Sequence, residues 1–149
     1  GFLKQARMQE ISYKYYVTCK VHSVYCGDKK EPSFMVMDAM SERLVDLYRN
    51  KKMSQKHQKQ LWNLYKKLDE EVGIIHNDMN PLNIMIDLNG DVKLIDFDRS
   101  KITEYKDIKK WGKYPNLRFM HLLSLRKYKI TADWLDKRYK KFKSNGYKI

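Results

Sequence analysis

Three polar side chains stand at spacings that could do chemistry: Asp78, Asn83 and Asp96. Asp78 and Asn83 share a polar loop, His76 to Asn83, that contains Pro81. Asp96 follows a short segment, Val92 to Ile95. After the loop, Ile84–Ile86 reads as a strand, Val92–Ile95 as its return, and Asn89–Gly90 as the turn. A two-stranded hairpin brings its ends together, so residues 83 and 96 should be near neighbours, with Asp78 on the same loop. Two carboxylates and one carboxamide at one point suit phosphoryl transfer. That reaction needs cations to neutralise charge on phosphate oxygens and a carboxylate to orient the attacking hydroxyl. Mg²⁺ takes hard oxygen ligands and few of them from protein. Asn83 and Asp96 could supply those, and Asp78 would accept the hydroxyl proton. The bland alternative is a loop of Asx turns at a hairpin end.

Elements on either side must hold this loop. Leu3, Ala6, Glu10, Tyr13 and Val17 recur at helical spacing and predict a helix over 2–17. Extended segments follow near 20–26 and 33–38, joined by a polar Gly27–Lys30 turn. Ser41 is the expected cap of a helix over 42–50, with Leu44, Leu47 and Tyr48 inward. Ser54 would cap a longer helix to Val72, with Leu61, Leu64, Tyr65 and Leu68 inside and Gly73 ending it. After Asp98 a basic loop leads to helices near 116–128 and 131–143, the last capped by Thr131. The class is α+β.

The chain has 149 residues, enough for one ordinary domain. Its 42% hydrophobic content excludes a wholly disordered chain. No apolar run approaches the roughly 20 residues of a membrane span. Cys19 and Cys26 have no His or Cys at zinc spacing and read as free thiols in a reducing compartment. Charge is uneven. Residues 1–98 carry 15 basic and 14 acidic side chains, whereas 99–149 carry 16 and 4. The net +13 therefore belongs almost wholly to the last third.

His76-Asn77-Asp78-Met79-Asn80-Pro81-Leu82-Asn83 resembles the catalytic loop of protein kinases, and Ile95-Asp96-Phe97-Asp98 resembles their magnesium-binding Asp-Phe-Gly segment. Phe34 to Met40 resembles the fifth strand and hinge. The resemblance implies a kinase-like fold using ATP and Mg²⁺. Residues 1–40 would be a partial N-lobe with the regulatory helix. Residues 41–149 would be a shortened, mainly helical C-lobe with a catalytic hairpin. Asp78 would be the base, and Asn83 and Asp96 the metal ligands. Backbone groups of Asp38 and Met40 would hold adenine, with Met37 as gatekeeper and Met85 as floor. Glu10 would be the ion-pairing glutamate of the regulatory helix.

The pattern also departs from the family. A glycine-rich loop and a third-strand lysine are absent, and Lys20 lies too near residues 33–40 to leave room for a helix between. An upstream segment or another chain would complete the fold. Asn77 and Asn80 stand where protein kinases carry Arg and Lys, and Asp98 replaces the glycine. The short ending resembles minimal kinases of viruses and bacterial effectors, which implies cytoplasmic work, in a host where that applies. The expected reaction is phosphorylation of a protein Ser or Thr hydroxyl. Its rivals are a pseudokinase that only binds partners and a small-molecule kinase of the aminoglycoside or choline type. The basic 99–149 region is the expected dock for an acidic protein partner or substrate. Nucleic acid is disfavoured, because no named nucleic-acid motif accompanies the charge.

Overall fold

The computed structural model describes residues 1–118 and 132–144. Helix α1 spans Phe2–Tyr13 and stops four residues before the expected end. Val17 N–H bonds back to the Ser12 carbonyl at 3.3 Å, and Tyr16 turns into the left-handed region at φ 62°. The chain then runs extended, and the Val17 carbonyl accepts Leu94 N–H at 2.9 Å. The buried face of α1 is Ala6, Met8, Gln9 and Ser12. Leu3, Glu10 and Tyr13, expected to face inward, are exposed. The core meets the neighbouring stripe of the helix instead. There Gln9 Nε2 reaches the Cys19 carbonyl and Sγ at 3.4 Å each, and Met37 Sδ at 3.5 Å.

Strands β1 (Val21–Tyr25) and β2 (Phe34–Met37) pair antiparallel, with the Tyr25 and Phe34 rings stacked at 4.5 Å. Asp28 Oδ1 accepts Lys30 N–H at 2.7 Å and Glu31 N–H at 3.0 Å, which tightens the connecting loop. A second departure follows. Ser41 is no helix cap, because Met40–Arg43 forms β3. The Ser41 hydroxyl donates to the Ile86 carbonyl at 3.0 Å. Helix α2 begins only at Leu44 and runs to Arg49, burying Leu44, Val45 and Leu47.

Helix α3 spans Gln55–Lys67 and opens on Ser54 as expected, in a reciprocal cap with His57. Leu61, Trp62, Leu64 and Tyr65 form its buried side. Its last turn widens into a π-helical turn, Leu68–Val72, closed by Gly73 at φ 73°. Strands β4 (Ile74–Ile75), β5 (Ile84–Asp87) and β6 (Val92–Leu94) follow, then β7 (Lys101–Ile102) and α4 (Tyr105–Trp111). The sheets are β1-β2, β3-β5-β6 and β4-β7. Residues 115–118 are helical, and α5 spans Asp133–Ser144. The rest of the helix expected to 128, and Thr131, lie outside the described residues.

Two glutamines on α3 fasten the layers. Gln60 takes Val92 N–H at 3.1 Å and donates to Asp91 at 2.8 Å, which pins the β5–β6 hairpin. Gln58 Oε1 accepts Trp134 N–H at 3.1 Å and Leu135 N–H at 3.3 Å at the start of α5. Leu44, Leu61, Tyr65, Leu68, Ile74, Ile84, Leu94 and Phe97 share one core between these elements. Burying each of the Leu, Ile and Phe side chains contributes roughly 1.5–3 kcal/mol. The fold is mixed α and β, with the His76–Asn83 loop set between that core and the surface.

Candidate active site

The loop is built from short-range bonds that its own sequence dictates. Asn80 Oδ1 accepts Leu82 N–H at 2.9 Å, and Pro81 enters a 3₁₀ turn, Pro81–Asn83, at its first position. The Asp78 carbonyl accepts Asn80 N–H at 2.8 Å and the Asn83 Nδ2 amide at 3.2 Å. A carbonyl oxygen can face only the NH₂ end of Asn83, which leaves Oδ1 as its acceptor end.

The β5–β6 register, Ile84 opposite Leu94, continues one step further, where Ile95 N–H donates to the Asn83 carbonyl at 2.9 Å. Asp96 is the next residue, so the ladder sets Asp96 beside Asn83, and Asn83 ties to Asp78. All three side chains are half-buried. Asp96 sits at φ 59° and Asn77, just before Asp78, at φ 63°. Left-handed backbone is costly for a residue with a Cβ and persists where surroundings over-determine it. Here Asp98 N–H donates to Asp96 Oδ1 at 3.3 Å, and Asn77 Nδ2 to the Arg99 carbonyl at 3.2 Å.

His76 holds loop and strand together. It is 1% exposed. Its Nε2 lies 2.9 Å from the Ile95 carbonyl, and its Nδ1 accepts Asp78 N–H at 3.3 Å. That pair of partners requires a neutral ring protonated on Nε2. Burial also pushes the imidazole below its usual pKa. Fully buried Phe97 packs edge-on against it at 4.9 Å. Fully buried Tyr65 lies near Asp78, and burial, then that carboxylate, push its phenol pKa up.

Two contributors carry no local sequence signal. Asn116 Oδ1 accepts His76 N–H at 3.0 Å, while its Nδ2 donates to the Ile74 carbonyl and to Asp69 Oδ1, each at 2.7 Å. Asp69 also accepts Asn116 N–H at 2.9 Å and Leu117 N–H at 3.1 Å. Burial nevertheless pushes its carboxyl up to about 7. The π-turn is what carries Asp69 here, a placement that spacing read as regular helix does not foresee.

The expected nucleotide-binding residues are placed less uniformly. Met37 Sδ lies 3.4 Å from Cys19 Sγ. The Asp38 amide donates to the Lys20 carbonyl at 3.0 Å, and its carboxylate meets His22 Nε2 at 2.6 Å. That His22 bond holds the carboxyl below its usual range. Met40 opens β3, opposite Asp87. Met85 lies between Arg43 and Lys93 in register and is half-buried, whereas Ile84 and Ile86 on the other face are buried. Asp38 and Met40 line a cavity of about 380 Å³ with Thr18, Cys19, Asp87 and Lys93. Asp78, Asn83, Asp96 and Met85 do not line it. Glu10 is exposed on α1 and makes no ion pair among the described residues, and Gln9 takes the buried position.

Among the described residues, no three His, Cys, Asp or Glu side chains gather as a metal site on their own. The Asn83 amide oxygen and the Asp96 carboxylate are hard donors of the kind Mg²⁺ accepts in small number.

The pattern of the phosphotransferase enzyme family matches residues 25–104. A stretch of 37 residues is 49% identical to mitogen-activated protein kinase kinase kinase 1 of Arabidopsis thaliana. That stretch covers 25% of this chain and 6% of the plant protein.

Proposed function

Because the chain belongs to the phosphotransferase enzyme family, whose pattern spans more than half of it, we propose that it moves the γ-phosphoryl group of ATP to a protein Ser or Thr hydroxyl. Asp78 accepts the proton of the attacking hydroxyl. A bond forms between that oxygen and the γ-phosphorus, the bond to the β-phosphate oxygen breaks, and ADP leaves. Charge is spread over the transferring group, so positioning and electrostatics carry most of the catalysis. Asn83 Oδ1 and the Asp96 carboxylate would hold Mg²⁺, which when bound with ATP neutralises charge on the phosphate oxygens.

One observation carries this reading. Asn83 is bonded at its side chain to the Asp78 carbonyl and at its own carbonyl to Ile95 N–H. These bonds tie the Asp78 main chain and the residue before Asp96 to Asn83, which supports reading Asp78 as base and Asn83 and Asp96 as metal ligands. His76 positions the loop as a neutral ring and does not titrate in the reaction. The likeness to a plant protein kinase supports a protein acceptor. A small-molecule hydroxyl is the second reading, favoured by Asn80 where protein kinases carry a lysine. We also assign the work to the cytoplasm, where ATP is made available. Buried Cys19 and exposed Cys26 are both free thiols, which suits a reducing compartment. Among the described residues no helix is long and apolar enough to cross a membrane.

The test uses the complete natural protein with γ-labelled ATP and Mg²⁺, offered casein and histone in one arm and an aminoglycoside and choline in the other. Label should enter protein, and Asp78→Asn and Asp96→Asn should each lower transfer by at least about 100-fold. Unchanged transfer in either variant sinks the assignment. Label in the small molecules alone moves the acceptor to the second reading.

A further inference from the structure

A cleft of about 140 Å³ lies where α3 meets α5, away from Asp78, Asn83 and Asp96. Trp62 and Phe142 meet edge-on in it at 5.5 Å, and Tyr114 meets Phe142 at 5.1 Å. Among the described residues, three cations line the cleft, Lys66, Arg138 and Lys141, and Glu70 is the one acidic liner. Its carboxylate is already engaged, accepting the Tyr114 hydroxyl at 3.0 Å and pairing with Lys66 at 4.0 Å.

Arg138 and Lys141 have no such compensation. They sit three apart on α5 and so share a side of the helix. Neither has a carboxylate within ion-pair distance among the described residues. Arg43, Arg49, Lys101 and Lys106 all do. The Arg138 guanidinium lies over the Trp62 ring at 5.8 Å. A cation–π contact of this kind uses none of the guanidinium's N–H donors, which keeps the fork available for a carboxylate.

The chemistry of the walls selects among anions. Trp62 is 3% exposed and Arg138 covers its face, so no base can stack on it. Among the described residues, neither α3 nor α5 carries an exposed large apolar side chain to sink into lipid. The cleft is too small for a folded surface and admits one acidic side chain at a time. We propose that it docks an acidic peptide segment of a protein partner, with a carboxylate of that segment held between Arg138 and Lys141. This binding does not depend on the phosphotransfer reading, since no residue of the candidate active site lines the cleft.

The experiment measures binding of fluorescein-labelled oligoglutamate to the complete protein by anisotropy. The double variant Arg138→Glu with Lys141→Glu should weaken binding by about tenfold or more. Lys137→Glu with Lys140→Glu changes the net charge of the same helix equally but touches no lining residue, and should stay within about twofold of the parent. If the first variant fails to fold by circular dichroism, Arg138→Gln with Lys141→Gln replaces it with the same expected direction. Asp78→Asn should bind as the parent does, so a failed phosphotransfer test leaves this result standing. Equal loss in both double variants makes the effect bulk charge and overturns the proposal. Tighter binding of oligo-dT or of phosphatidylserine vesicles than of oligoglutamate overturns it as well.

Discussion

The main-chain N–H of His76 donates to the side-chain oxygen of Asn116 at 3.0 Å, across 40 positions of sequence. The same asparagine is bonded to Asp69, and the same histidine to Ile95 and Asp78. A half-buried carboxylate just past the end of α3 is thereby linked, through two side chains, to the residue proposed as base. A fully satisfied buried network is rigid, and one broken link leaves its neighbours unpaired.

Asn116→Ala breaks that network at its centre. The His76 N–H and the Ile74 carbonyl lose their Asn116 partner, and Asp69 loses one of its three donors. At about 1–3 kcal/mol for each buried group left unsatisfied, the expected loss is about 3–5 kcal/mol. Urea unfolding of parent and variant measures it. A loss under about 1 kcal/mol would show that the network does not hold the loop.

Asp69 gives the protein a pH dependence of known sign. Its carboxyl titrates at about 7 when folded, against an ordinary value near 3.8. Between those values the folded state binds more protons than the unfolded chain, so stability falls as pH rises from about 4 to about 7 and then levels. The size is on the order of a few kcal/mol. Unfolding free energies at about pH 5 and about pH 8 should differ less in Asp69→Asn than in the parent. An equal difference in both removes Asp69 as the cause.

At Asp96, fold and function should separate. Glycine tolerates φ 59° without the cost a Cβ imposes. Asp96→Gly should therefore leave stability unchanged or raise it by up to about 1 kcal/mol. The same change removes a proposed metal ligand, and the thermal shift given by ATP with Mg²⁺ should disappear. A variant that melts well below the parent would mean that the carboxylate itself holds the fold.

Gly27 should resist even alanine. A Cβ there would collide with the Glu31 carbonyl oxygen and come within 2.6 Å of the Pro32 carbonyl oxygen. Backbone cannot yield as a side-chain tip can, so Gly27→Ala should cost about 1–3 kcal/mol. The loss should appear first as faster amide exchange in β1 and β2. Unchanged exchange there would show that the loop relaxes freely.

What could be read early was local. The Asn89–Gly90 turn, the Ser54 cap and the Gly73 stop each rest on bonds between residues a few positions apart. What failed depended on distant partners. Ser41 looks like a cap until β5 offers the Ile86 carbonyl. The spacing of Leu3, Glu10 and Tyr13 looks like an inner face, yet Cys19 and Met37 draw Gln9 inward. Asn116 reads as one polar residue at the start of an expected helix, and only packing shows what it binds.

The sequence by itself therefore determined the candidate loop, the Asn89–Gly90 hairpin turn after it and the strand return that sets Asp96 beside Asn83. Backbone preferences and short-range hydrogen bonds suffice for those, and both are written in neighbouring residues. Only the tertiary structure decided which side of α1 is buried, that Asp69 and Asn116 anchor His76, and that Arg138 lies on Trp62. Those pairings join residues brought together by burial of a shared core, and burial depends on apolar area without regard to separation along the chain.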